Sequence, residues 1–145
     1  MCIRDSPGAV AVVPLIGDDI ILVKQYRPAL GRELLEIPAG LRDIEGEDPI
    51  DTARRELIEE IGMRALSIEH VLSTHNAVGF SDECIHLFVS RDLVPVEREF
   101  TTSPEEQEMQ IIRMPLAEAM AMISEGEITD AKTIIGVQHA VALLS

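Results

Sequence analysis

The chain is predicted to fold as an α/β domain, with a mixed β-sheet held between helices in an α/β/α sandwich. Three observations lead there. Short apolar runs suited to buried strands lie on both sides of one amphipathic helix, and two further helical segments close the chain. Its 145 residues are enough for one core, so residues 7–145 are expected to form one domain. Aromatic residues make up only 3% with no Trp, so that core must be built from Ile, Leu, Val, Ala and Met.

Met1 to Ser6 carry no periodicity and are set aside as a non-native or truncated start. Ala9 to Ile16 is an apolar run broken by Pro14. It is followed by Gly17-Asp18-Asp19 and then Ile20 to Val23, which together read as a hairpin of strands buried on both faces. Gln25-Tyr26-Arg27-Pro28 leaves its second strand, and Leu34 to Ile37 forms a short strand leading into a Pro38-Ala39-Gly40 turn. Asp48 can cap a helix, Pro49 suits its first turn, and Gly62 suits the position just past its end. Ala65 to Ser73 and Glu83 to Ser90 alternate as strands, with a loop from Thr74 to Asp82 between them. Val94 to Pro104 reads as a long irregular loop and Met109 to Met114 as a last strand. Pro115 and Gly126 delimit one helix, and Asp130 caps another that runs to Leu144.

The helix after Pro49 is the informative element. At roughly 100° per residue, Glu56, Glu59 and Glu60 share a stripe about 100° wide, while Ile50, Leu57 and Ile61 fall on a flank that can face a core. Like charges one turn apart repel, so the stripe is costly unless a cation sits on it. Magnesium, which takes a few carboxylates and keeps water and phosphate oxygens as its other ligands, answers that need. The alternative reading of the same residues is a solvated acidic helix face.

Charge narrows the partners. With 12 basic and 26 acidic residues the net charge is −14, which disfavours nucleic acid as a ligand because phosphate neutralisation needs basic patches. Cys2 and Cys84 form no framework, no apolar run reaches the length of a membrane span, and no leader pattern opens the chain. A cytoplasmic protein with reduced thiols, no membrane partner and no nucleic-acid partner is the expectation. His70, His75, His86 and His139 lack ligand spacing and read as structural or surface residues, and the methionines as core filling.

Gly40, Glu47 and the run Arg55-Glu56-Leu57-x-Glu59-Glu60-x-Gly62-Met63 resemble the Nudix box, a glycine and a glutamate followed by R-E-U-x-E-E-x-G-U with U apolar. The departure is in the loop, where Leu41 to Gly46 place six residues between Gly40 and Glu47 instead of five. The resemblance to the Nudix hydrolase family covers the chain from Pro7 onward and implies the same α/β/α fold. It also implies metal-dependent hydrolysis of a nucleoside diphosphate linked to another group.

By that resemblance Glu56 and Glu60 are the principal ligands of Mg2+, or alternatively Mn2+, with Glu59 and the Ala39 carbonyl as further ones. Arg55 would steady the stripe by pairing with a carboxylate, the alternative being an ordinary surface arginine. Gly40 would let the backbone approach the substrate, and Glu47 would support the loop. Ser103-Pro104-Glu105-Glu106 is similar to the acidic loop from which the ADP-ribose pyrophosphatase-like branch takes its catalytic glutamate. Glu105 is the first choice for that base and Glu106 the second; a solvated acidic turn is the alternative.

Arg27 matches an arginine that the branch sets on substrate phosphates, and Glu83 a G-x-x-x-E element facing the terminal ribose. A plain surface arginine and a polar strand start are the respective alternatives. The implied reaction is ADP-ribose to AMP and ribose 5-phosphate. Other diphosphates, such as oxidised nucleotides or dinucleoside polyphosphates, stay open, as does a non-catalytic nucleotide sensor. A proline common in the branch sixteen residues past the box glycine is Val78 here. The branch also carries a β-rich N-terminal extension that supports a homodimer; this chain starts almost at the first core strand, so weakened dimerisation or affinity is expected.

Overall fold

Residues 7–96 and 109–145 are described by the computed structural model. Seven strands form one sheet: β1 Ala9–Ile16, β2 Asp19–Arg27, β3 Arg32–Glu36, β4 Ala39–Leu41, β5 Met63–His75, β6 Cys84–Pro95 and β7 Gln110–Pro115. Helix α1 spans Pro49–Ile61, α2 Leu116–Ser124 and α3 Ala131–Leu144. The order β3-β2-β1-β6-β5 has β4 added to β1 and β7 to β2. Among the described residues only β1 and β6 run parallel, so the sheet is mixed, as predicted.

Alternation along β1 builds the two layers. Ala9, Ala11, Val13 and Leu15 face a core closed by Leu116 and Ala119 of α2 and by Val137 and Ala140 of α3. Val10 and Val12 face the opposite side, against Ala53, Leu57 and Ile61 of α1. Because successive strand side chains point to opposite faces, one all-apolar strand serves both layers. Each fully buried Leu or Val contributes about 1.5–3 kcal/mol of transfer free energy. The helix ends are built from the residues that the sequence nominates. Asp48 Oδ1 accepts from Ile50 N at 3.2 Å, Pro49 opens α1, and Gly62 closes it in the left-handed region at φ 66°. Asp130 caps α3 by accepting from Thr133 N. Among the described residues no helix is long and apolar enough to cross a membrane.

Four boundaries differ from the sequence reading. Strand β2 continues through Arg27, which pairs with Arg32 of β3. Ala39 and Gly40 are the start of a strand rather than a turn, paired with Ala11 and Val10. The strand from Ala65 begins two residues earlier and ends two later, its alternation hidden by a register shift between His70 and Leu72. Val94 and Pro95, read as loop, pair with Arg64 and Met63.

The hairpin of β1 and β2 is unusual in holding together only at its tip. Leu15↔Ile20 and Ile16↔Asp19 are paired; beyond them β1 turns to β4 and β6, and β2 to β3 and β7. Pro14 sits where the strands part. On that side Val12 N donates to Pro38 O at 2.9 Å. Two residues on, Pro14 would face the same gap, and it has no N–H to leave unsatisfied there.

Candidate active site

The acidic ridge is not a solvent face. Glu56 and Glu60 are each only 6% exposed, pressed against β4. Gly40 makes that possible: a β-carbon on it would lie 2.1 Å from Cδ and Oε1 of Glu56. Its glycine is therefore required by the Glu56 carboxylate, whatever else approaches its backbone. Glu60 Oε2 accepts from Ala39 N at 3.2 Å. Two carboxylates of one helix thus converge on two consecutive residues of one strand.

Arg55 gathers the surrounding charge. Its Nη2 reaches Glu47 Oε1 at 3.1 Å and Asp43 Oδ1 at 3.5 Å, and its Nη1 lies 3.5 Å from Oε1 of both Glu56 and Glu59. Glu47 also accepts from Thr52 Oγ1 at 2.7 Å. The bond from Arg55, then that from Thr52, holds the Glu47 carboxyl below the usual carboxylate range, and the bond to Glu47 raises Arg55. Among the described residues no three His, Cys, Asp or Glu side chains already converge to enclose a cation.

A cleft of about 500 Å³ opens beside this ridge, at the end of the hairpin where β1 and β2 have parted. Ala39, Gly40 and Glu60 line it together with Arg27, Glu83 and Lys132. Arg27 is not a free surface arginine: Nε and Nη2 donate to Oε2 and Oε1 of Glu36 at 2.7 and 2.8 Å. Lys132 Nζ donates to the same Oε1 at 2.8 Å and to Asp130 Oδ2 at 2.9 Å. Burial, the largest influence on the Glu36 carboxyl, pushes it up; Arg27 and Lys132 together outweigh that and bring it below its ordinary value. Glu83 Oε1 accepts from Asn76 Nδ2 at 2.9 Å.

The structure therefore brings Arg27, Ala39, Gly40, Glu60 and Glu83 to one cleft, with Glu56 packed under Gly40 and Arg55 and Glu59 beside it. Glu105 and Glu106 lie outside the described residues. Sequence reasoning missed Glu36 and Lys132. The signal was present in Leu34-Leu35-Glu36-Ile37, an acid placed in the buried phase of an apolar strand, which must find a cation. His86 belongs elsewhere: it bonds Ser73 Oγ at 2.8 Å, which also meets His70 at 2.9 Å, and burial lowers its pKa.

Fold and site together define a class, an α/β/α domain in which an acidic helix edges a cleft lined by Arg27 and Lys132 as well as by Glu60 and Glu83. The chain belongs to the Nudix family, its residues 5–135 matching the NUDIX domain. It is a pyrophosphohydrolase of that family, similar to ADP-ribose pyrophosphatases. The ADP-ribose pyrophosphatase of Bacillus subtilis (strain 168) is 37% identical over 134 residues, which cover 92% of this chain and 71% of that protein. A methanol dehydrogenase activator of Bacillus methanolicus is 41% identical over the same shares of the two chains. The crystal structure of an ADP compounds hydrolase matches with a TM-score of 0.84 at 26% identity, covering 94% of this chain and 72% of that one.

Proposed function

We propose that the protein hydrolyses ADP-ribose, or a closely similar nucleoside diphosphate sugar, to AMP and a sugar phosphate, with Mg2+ as the metal and Mn2+ as a substitute. The observation that carries this reading is the pair Glu56 and Glu60, buried against Ala39 and Gly40 at the edge of a cleft that also holds Arg27. Hard carboxylate oxygens on one helix face, one of them seated against Gly40 where a β-carbon would displace it, and an adjacent backbone carbonyl fit a hard divalent cation. Glu56, Glu59 and Glu60 with the Ala39 carbonyl would hold it. When bound, such a metal polarises phosphoryl oxygens and lowers the pKa of water.

The chain's own groups supply the rest. Arg55, anchored on Glu47, lies beside the Glu56 and Glu59 carboxylates and offsets their mutual repulsion. Arg27 presents charge to the diphosphate, and Glu83 accepts hydrogen bonds from the distal sugar hydroxyls. Glu105, or failing it Glu106, takes the proton from water as its oxygen adds to phosphorus and the bridging P–O bond breaks. Self-association belongs to the same reading: among the described residues β5 pairs only with β6, and Leu66 on it is 63% exposed.

The deciding experiment is a phosphate-coupled assay over ADP-ribose, other nucleotide sugars, dinucleoside polyphosphates and oxidised nucleotides, with Mg2+ or Mn2+. ADP-ribose is expected to give the highest kcat/KM. Absence of turnover for every diphosphate would overturn the reading, and tight ADP-ribose binding without product by calorimetry would replace it with a sensor. Light scattering reads the dimer.

A further inference from the structure

We propose that Glu36 is a positioning residue for the phosphate-binding arginine: its carboxylate grips one edge of the Arg27 guanidinium and thereby turns the other edge to the cleft. This rests on the reading of Arg27 as a phosphate ligand. Arginine carries five N–H donors in a rigid plane. The bonds from Nε and Nη2 to Glu36 occupy the inner edge, leaving the Nη1 side for a ligand. The Arg27 side chain is 42% exposed, so without Glu36 it would have many rotamers open to it.

Glu36 is itself fixed. It is 2% exposed on β3 and lies under Lys132, whose ammonium is anchored on Asp130, the cap of α3. Thr133 completes the tie, donating Oγ1–H to Asp130 and accepting from Ile37 N at 2.9 Å. The carboxylate thus stands between two cations that would repel each other in its absence. An acid buried at that depth is costly in an apolar strand, and its geometry here supports Arg27 rather than the packing alone.

The test has an arm that needs no turnover. In nitrogen-15 spectra of arginine side chains, the two Nη of Arg27 are expected to be separately resolved in the wild type through hindered rotation, and averaged in Glu36→Gln. Inorganic pyrophosphate is expected to shift those signals in the wild type and not in the variant. In the kinetic arm Glu36→Gln raises KM for ADP-ribose about tenfold with kcat within about twofold, and adds nothing to KM on an Arg27→Ala background. Glu36→Asp, too short to keep both bonds, shows a smaller rise and serves if the glutamine variant does not fold. Averaged Arg27 signals in the wild type, no pyrophosphate shift, or a KM unchanged while only Tm falls would each overturn the proposal. Failure of the wild type to turn over any diphosphate counts against the preceding reading alone, since the spectroscopic arm still decides this one.

Discussion

Replacing Gly40 with alanine puts a methyl carbon 2.1 Å from Cδ and Oε1 of Glu56 and 2.7 Å from its Cγ. Ordinary contact begins at 3.4 Å, so the carboxylate has to withdraw by about 1.3 Å. The Glu56 side chain is only 8% exposed, which leaves it few directions. Overpacking of this kind costs about 1–3 kcal/mol, and the lower half of that range applies because the colliding group is the end of a flexible side chain. For a domain of this size the melting temperature should fall by about 2–6 °C. Catalysis should suffer more, since a shift of about 1 Å in a positioned group costs roughly 100-fold in rate. Melting curves and coupled phosphate release with ADP-ribose and Mg2+ measure both. Gly79→Ala is the packing control, because nothing lies within 4 Å of its β-carbon, and its melting temperature should stay within about 2 °C. A Gly40→Ala protein with kcat within about twofold of the wild type would refute the assignment of Glu56 to the reaction.

Glu60→Gln should lose about 100-fold or more in turnover and need more Mg2+, yet melt near the wild type, because a glutamine oxygen can still accept from Ala39 N; undiminished hydrolysis would contradict it. Thr133→Val strips Ile37 N of its acceptor at a site with no exposure, and denaturant titration should show a loss of about 1–3 kcal/mol. A stable variant would mean that the bond counts for little. Stability should also follow Glu36 with pH. Its folded carboxyl lies below the ordinary 4.5, so its contribution is fully present above about pH 4.5 and is lost as pH falls through the folded value. Melts between about pH 7 and pH 3 should therefore be steeper for the wild type than for Glu36→Gln, and parallel curves would sink the point.

The residues that spoke plainly in the sequence are those whose chemistry is local. Asp48, Pro49 and Gly62 announce a helix and its ends because capping involves neighbours within a turn. The alternation of Ile85, Leu87 and Val89 gives the inward face of β6 for the same reason. What stayed hidden is what depends on distant chain. Lys132 meets Glu36 across 96 positions, and nothing near either residue names the other. Ala39 and Gly40 looked like a turn because their partner strand lies nearly thirty residues earlier. The burial of Glu56 was illegible too, since helical periodicity sorts residues into faces but does not say that a glycine strand will cover the acidic one.

Where β1 and β2 part, the sheet becomes two plates, and the chain crosses from one to the other at Ile37 and Pro38. That crossing is clamped at both residues, by Thr133 Oγ1 on Ile37 and by Val12 N on Pro38. Arg27 rides on one plate and Ala39 and Gly40 on the other, so the span a bound molecule must bridge is a backbone dimension. Exchanging wall side chains can tune how tightly a molecule is gripped, while the length of molecule that fits is ruled by the hinge line itself.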